Sequence, residues 1–439
     1  MFSILPGFRD FYPADCAERN YIFQRIRDTA KLFGFEEYDG PVLEPLELFT
    51  EKSGQEIVSQ LFSFTDKGGR QVAMRPEMTP SLARMVGSKA SSLKRPIKWF
   101  DISELYRYER PQKGRLRSFY QFNADIFGES DVLADAESMA LLISVLRSFG
   151  LTDQDFHIKL SSRKLWSVFF QLHGIPMADS SNILNIIDKS DKEPMDIIVG
   201  KLDALGLDGV ELLQKINEFI AAKTVEEIYE RLANCKLFTL AMEPLVCQSL
   251  EDLSRLLEYI EMFGLQEYVV LDMAIVRGLA YYTGFVFEAF ERLGKSRALA
   301  GGGRYDDLTK KMGYAELPAV GFAIGDVTLA NLLSEKELIP NLTKSMDVFM
   351  VFDDEFKREA MGDVILLRNH GLSSEFSIKR VDAHRQLKMA AAADAKIAII
   401  YSANVPDVPN FVLVRRMSDR KEVVIARSDL LKILDELLK

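Results

Sequence analysis

The 439-residue sequence predicts an α+β fold: an antiparallel sheet domain, interrupted by helices, followed by a small α/β domain. Three observations carry that prediction. Lys98–Arg107 and Leu116–Phe127 are rich in aromatic and β-branched residues. Between them, Pro111-Gln-Lys-Gly114 is turn chemistry, Pro fixing φ and Gly tolerating φ above zero, so the pair reads as a hairpin. From about Arg163 to Phe263 apolar residues recur three and four apart, as in Val225-Glu-Glu-Ile-Tyr-Glu-Arg-Leu232, which is the period of an amphipathic helix. Beyond Ser345 strand-like and helix-like segments alternate, the order expected of an α/β domain with a largely parallel core.

In chain order, Ala17–Leu32 reads as a helix stopped at Gly34, and Phe35–Asp39 as a strand broken by Gly40-Pro41. Asp131–Phe149 reads as a helix with Gly150 as its stop. After the helical segment, strand character returns at Tyr268–Asp272 and again at Val286 and Phe287. Ser334–Lys344 is charged, contains Pro340 and reads as a linker. The final domain should contain strands Asp347–Phe352, Ser373–Ser377, Ile397–Tyr401, Phe411–Arg416 and Glu422–Ala426. Its helices should be Glu355–Asn369, His384–Ala393 and one from Asp429. The boundaries implied are residues 1–162, 163–263, 264–333, 334–344 and 345–439.

Composition narrows the class. At 48% apolar and 27% charged residues, the chain has the balance of a water-soluble globular protein. It has no run of eighteen apolar residues and no apolar leader at its start, so no membrane association is expected. Cys16, Cys235 and Cys247 have neither disulfide-framework nor metal-ligand spacing, and four histidines make a zinc site a poor reading. These point to the cytoplasm. The formal net charge is -10, which argues against indiscriminate binding to nucleic acid but not against a local basic surface. From Ser345 onward fifteen basic residues balance fifteen acidic ones, so the negative charge lies in the preceding body.

Against that background, Arg107, Arg110, Lys113, Arg115 and Arg117 stand close together with only Glu109 to offset them, a place where a polyanion could be held. Period-two alternation puts Arg117, Phe119, Gln121, Asn123 and Asp125 on one face of the second strand, and mostly apolar residues on the other. A cation, an aromatic plate, an amide and a carboxylate suit a nucleotide and a small polar substrate. The competing reading is an ordinary hairpin with a basic loop. Glu77 and Thr79 sit two apart before a helix; Thr79 reads as an N-cap, or the two together as a seat for an ammonium group. Arg277, beside Tyr281 and Tyr282 in an apolar strand-like region, needs an anionic partner, either a structural carboxylate or a ligand. Ala300-Gly-Gly-Gly-Arg304-Tyr305-Asp306 either lets backbone approach a ligand closely or forms a flexible hairpin. Gly321 and Gly325 mark a strand-to-helix passage.

Taken in this order, these segments resemble the histidyl-tRNA synthetases of the class II aminoacyl-tRNA synthetases over essentially the whole chain. Gly34-Phe35 through Pro41-Val-Leu-Glu-Pro45 resembles motif 1, and Arg107 through Gln121 resembles motif 2. Arg277-Gly-Leu-Ala-Tyr-Tyr-Thr-Gly284 resembles the histidine-specific segment, and Ile187-Asp-Lys-Ser-Asp-Lys192 is also similar to that family. The resemblance implies a class II catalytic domain with a helical insertion, a homodimer, and a C-terminal anticodon-binding domain. It implies histidine activation by ATP with Mg2+ and transfer to tRNA(His). It assigns ATP to Arg107, Glu109, Arg115, Arg117 and Phe119, and histidine to Glu77, Thr79, Gln121, Asp125, Tyr282 and Tyr305. Arg277, with Arg107, would stabilise the charge of the reacting groups. The sequence departs from the family pattern at Thr328, where motif 3 usually carries an arginine, at Ala280, where Asp is common, and at Ile400-Tyr-Ser-Ala-Asn-Val-Pro406. The second reading is a synthetase-like, histidine-binding regulatory subunit of histidine biosynthesis that does not acylate tRNA. A third is a class II ligase for another amino acid.

Overall fold

The computed structural model describes residues 2–50, 55–110, 112, 114–190, 193–235, 237–240, 242–277, 281–293, 298–342 and 345–438, with backbone alone at 55 and 56. Pro111, Lys113 and Ala280 lie outside the described residues. The chain divides into two compact units, Met1–Pro340 and Asn341–Lys439.

In the first unit the strands are β1 (Glu36–Glu37), β2 (Leu43–Pro45), β3 (Ser63–Thr65), β4 (Gln71–Met74), β5 (Ile97–Tyr106), β6 (Ser118–Phe127), β7 (Phe156–Ser162), β8 (Val269–Leu271), β9 (Phe285–Glu291), β10 (Ala300–Arg304) and β11 (Ala319–Gly325). Eight of them form one sheet in the order β1-β5-β6-β11-β10-β9-β7-β8, while β2, β4 and β3 form a small second one. Neighbours from β5 to β7 are antiparallel; only the short edge strands β1 and β8 join parallel. The expected hairpin is therefore β5–β6, with Asp101 opposite Asn123 and Trp99 opposite Asp125. Phe122, Ala124 and Ile126 enter the main core, as the alternation predicted.

The Gly-rich segment is a correction. Ala300–Arg304 is a fully buried central strand between β11 and β9, not a flexible hairpin. Its glycines are compatible with a strand because the sheet is crowded there: a Cβ on Gly302 would stand 2.3 Å from the Gly321 carbonyl oxygen. Arg277 lies in the loop before β9 rather than in a strand, in the left-handed region at φ 50°.

One long helix, Pro13–Leu32, starts earlier than predicted because Pro13 suits the first helical turn and Asp15 accepts a hydrogen bond from Tyr12 N. It buries Ile22, Phe23, Ile26 and Ala30. Between β7 and β8 run, among the described residues, six α-helices: Arg163–Leu172, Ser180–Ile187, Met195–Asp203, Gly209–Ile220, Val225–Ala233 and Glu243–Met262. Trp166 and Phe169 each pack 4.9 Å from the Phe219 ring, and Trp166 Nε1 donates to Met273 O, tying this segment to the sheet. The expected linker begins inside the first unit, since Leu338 and Ile339 pack on its core.

The second unit contains β12 (Met346–Phe352), β13 (Ser374–Phe376), β14 (Ala395–Tyr401), β15 (Phe411–Arg416) and β16 (Glu422–Ala426), in the order β13-β12-β14-β15-β16. Only β13, β12 and β14 are parallel. β15 and β16 add antiparallel because the connections before them are too short for a helical crossover. Helices Lys357–Asn369, Ala383–Ala392 and Leu430–Leu437 complete it. Among the described residues of both units, no helix is long and apolar enough to cross a membrane.

A buried ion pair anchors the glycine strand. Arg304, at the end of β10, donates from Nε to both oxygens of Asp135, in the helix Leu133–Arg147, and from Nη1 and Nη2 to the carbonyls of Glu129 and Asp131. Both side chains are almost fully buried. Removing one partner strands the other charge, so Asp135→Ala should destabilise the first unit by about 3–5 kcal/mol, read from the urea midpoint. A shift below about 1 kcal/mol would show that solvent reaches Arg304.

Candidate active site

β6, β10 and β11 meet the loop around Arg277 and the start of the helix Thr79–Ser88 over a cavity of about 290 Å3. All of the expected site residues line it except Arg117 and Phe119.

Its floor is acidic and buried. Tyr305 donates its hydroxyl proton to Asp125 Oδ1, leaving Asp125 Oδ2 buried with no hydrogen-bond partner. Burial pushes the Asp125 carboxyl up to about 8; the Tyr305 hydrogen bond pulls it back and Asp101 adds to the rise. Gly321 makes this possible, because a Cβ there would stand 1.9 Å from Asp125 Oδ1. Beside the floor, Glu77 is buried and accepts from the Tyr281 hydroxyl at 3.1 Å. Thr79 is the first helical residue and Met78 takes the cap position without a side-chain cap, so the N-cap reading of Thr79 is corrected. Its hydroxyl instead bonds to Tyr281.

The cationic wall comes from two places. Arg277 Nη1 reaches Glu288 Oε1 at 2.7 Å and lies over Gly301, where a Cβ would stand 1.4 Å from Nη1. Its guanidinium also sits 5.9 Å from the centre of the Tyr282 ring. A structural carboxylate is thus present, yet the guanidinium still faces the cavity. From the hairpin, Arg115 Nη1 pairs with Glu109 Oε2 at 3.0 Å, and Arg107 Nε donates to Pro76 O.

Two expected ligands are placed elsewhere. Arg117 lies 4.1 Å over the Tyr108 ring and donates to Glu109 O, while its backbone N bonds to Gly7 O; it props the hairpin and does not line the cavity. Phe119 is covered by the Arg107 guanidinium at 5.3 Å, on the ring where an adenine was expected to stack. Arg110 is exposed. The basic cluster is therefore dispersed: two of its described arginines enter the cavity and two do not.

At the motif 3 position, Thr328 turns its hydroxyl back to Gly325 O instead of lining the cavity. The same helix start holds Asp326, which accepts from Arg9 Nη2 at 2.7 Å and from Tyr120 N at 2.9 Å. That Arg9 comes from the far end of the sequence, beyond any local search for a substitute arginine.

Sequence reasoning missed Tyr281, Asn123, Asp188 and Glu288, all of which line the cavity. Asn123 was legible from alternation, and Asp188 lies in a segment already singled out. Glu288 gave no signal, since its pairing with Arg277 depends on the register of β9 against β10.

Comparison with known proteins agrees with the geometry. The histidyl-tRNA synthetase family profile matches residues 7–328. A histidine–tRNA ligase of Opitutus terrae is 49% identical, covering 97% of this chain and 96% of that one. Among solved structures, a histidyl-tRNA synthetase from Nostoc sp. PCC 7120 superposes with a TM-score of 0.76 at 22% identity, over 99% of both chains. An ATP phosphoribosyltransferase regulatory subunit/histidyl-tRNA synthetase from Bacillus halodurans does so at 0.71 and 22%, covering 91% of this chain and 98% of that one. At such identities the structural likeness speaks to the fold, an α+β class II synthetase fold, and the sequence likeness speaks to descent. With the profile spanning most of its length and a relative nearly half identical throughout, this chain belongs to the histidyl-tRNA synthetase family.

Proposed function

We propose that the chain is a histidine–tRNA ligase. Family membership implies ATP, histidine and tRNA as substrates. In the first step a histidine carboxylate oxygen attacks the α-phosphorus, the bond from that phosphorus to the β-bridging oxygen breaks, and pyrophosphate leaves. In the second, a terminal ribose hydroxyl of tRNA(His) attacks the activated carbonyl, and AMP leaves. The observation that carries this reading is one cavity combining a buried acceptor floor, a buried carboxylate and half-buried guanidinium groups.

The nucleophile is already an anion, so the protein's contribution is positioning and electrostatics rather than base catalysis. Asp125 Oδ2 accepts from the imidazole ring, with Tyr305 and Tyr282 lining it, while Glu77, Thr79 and Gln121 hold the ammonium. Arg277, fixed by Glu288, lies between the carboxylate and the α-phosphate, which Arg107 also grips. Glu109 and Arg115 meet the adenylate end, where Phe119 takes part once the Arg107 guanidinium moves onto phosphate. Arg117 supports the hairpin from behind.

Magnesium fits as a companion of the nucleotide. Among the described residues no three metal-ligating side chains stand together, and a divalent ion that keeps its waters needs only one or two carboxylates beside phosphates. Glu288 and Glu109 line the cavity and would supply them, the ion neutralising phosphate charge.

We further propose a catalytic domain from residues 1–162 and 264–333, a helical insertion from 163–263, and an anticodon-binding unit from 345, in a cytoplasmic enzyme. A homodimer through the motif 1 region is supported by exposed Leu32, Val42, Leu43 and Phe64, an apolar surface of the kind that marks an interface. A monomeric mass by analytical ultracentrifugation at micromolar concentration would remove that part. The regulatory reading is less supported, because the Arg107–Arg117 hairpin and the C-terminal unit are both retained.

Histidine-dependent ATP–pyrophosphate exchange against a panel of amino acids separates the readings. Exchange should appear with histidine alone, and Arg277→Ala should lower kcat about 10²–10³-fold, roughly 3–4 kcal/mol of transition-state stabilisation. Histidine binding without exchange would favour the regulator, and exchange with another amino acid would change the substrate.

Asp125 also predicts a pH effect. Its carboxyl titrates far higher in the folded chain than the value of about 4 expected unfolded, so the folded chain holds the extra proton between the two. Stability from this group is complete below about pH 4 and is lost as pH rises through about 8. Without histidine, the Tm of the parent protein should therefore fall more steeply between about pH 6 and 9 than that of Asp125→Asn. Parallel slopes would show that Asp125 is not the buried acid.

A further inference from the structure

Beneath the cavity floor lies a second carboxylate that takes no part in the proposed reaction. Asp101, on β5, is fully buried, does not line the cavity, and leaves Oδ1 without a hydrogen-bond partner. It forms no ion pair among the described residues. The cation whose charge acts on it, Arg75, gives its bonds to Asp39, Gly40 O and Glu104 O. A buried unpaired carboxylate costs several kcal/mol, so its presence needs a reason.

The reason is the residue opposite. Asn123 faces Asp101 across the β5–β6 ladder and lines the cavity beside Asp125. The Asn123 Nδ2 group lies 3.4 Å from Asp101 Oδ2 and 3.4 Å from Gln121 O. An ionised carboxylate and a backbone carbonyl are both acceptors, so the end of the amide that meets them must be the NH2. The Asn123 carbonyl oxygen is then what the amide can offer the cavity. Next to it stands Asp125 Oδ2, which becomes a second acceptor once that carboxyl is ionised, because Tyr305 occupies Oδ1.

We propose that Asp101 is a positioning residue for amino-acid specificity: it locks the Asn123 amide so that the cavity floor presents acceptors alone, selecting a side chain whose ring carries N–H donors. This rests on the cavity being the histidine site. A site built to receive an N–H rejects analogues lacking it, because its own buried acceptors would stay unpaired. The lock depends on charge. A protonated Asp101 can donate as well as accept, so it leaves the Gln121 carbonyl alone to hold the amide and weakens the lock. Burial pushes the Asp101 carboxyl up to about 7, with the Ser103 and Tyr38 hydroxyls, Arg75 and Asn123 pulling the other way. Those, with Asp39 beyond Ser103 and Asp125 beyond Asn123, are the polar and charged groups facing it.

The test is Asp101→Asn, which keeps the shape and mimics the protonated acid, assayed by ATP–pyrophosphate exchange from pH 6 to 9. At the alkaline end the histidine KM should rise about ten-fold, the loss of roughly one well-made hydrogen bond, with kcat and the ATP KM within about two-fold. The ratio of variant to parent KM should fall toward one at the acid end, where the parent is itself protonated. A ratio that does not change with pH, or an equal rise in the ATP KM, would mark Asp101 as merely structural and overturn the proposal. Asn123→Leu, which removes the amide, gives an independent check. It should raise the histidine KM at every pH, and adding Asp101→Asn to it should do nothing more; additive effects overturn the proposal. Absence of histidine-dependent exchange in the parent protein would instead remove the histidine reading itself.

Discussion

Everything at the candidate site depends on backbone that has no room for a Cβ. Arg277 lies flat against β10 because Gly301 has no side chain, and Asp125 lies against β11 because Gly321 has none. The two chemistries of the cavity, a cationic wall and an acceptor floor, are thus set by two glycines on neighbouring strands. Almost any other residue at either position would push a charged group off the sheet. Strand register then matters as much as composition. It sets Gly301 opposite Glu288, and that pairing brings the carboxylate to the arginine.

The fold was legible where period and turn chemistry are strong. The β5–β6 hairpin, the six-helix segment after Arg163 and the alternating C-terminal unit follow from local pattern. The Gly-Gly-Gly strand was not, because three glycines in a row carry no strand propensity; tertiary crowding between β9 and β11 decides the matter. The parallel content of the second unit was overread for a similar reason. Alternation suggests crossovers, but the short connections around β15 permit only antiparallel pairing.

Site residues followed the same division. Period two placed Gln121, Asn123 and Asp125 on one face correctly, and the cavity uses that face. Arg117 obeys the count in sequence but precedes β6, so its side chain is free to lie on Tyr108. Charge density alone could not separate the arginines that face a ligand from those that brace the hairpin. Long-range partners were beyond reach altogether. Arg9 finds Asp326 across more than three hundred residues, a contact that only the assembled sheet creates.

The arrangement also explains how one cavity holds polar groups of opposite character without self-cancellation. Free guanidinium and carboxylate groups at close range would pair and collapse the cavity. Here each group already has a dedicated partner: Glu288 for Arg277, Arg115 for Glu109, Tyr281 for Glu77 and Tyr305 for Asp125. Each partner fixes one end of the functional group and leaves the other facing the cavity. That is preorganisation, with the reorientation completed during folding rather than during the reaction. It also accounts for the Arg107–Phe119 contact. A guanidinium is favourably seated on an aromatic face, so the Phe119 ring holds Arg107 on one side as the Pro76 carbonyl does at Nε.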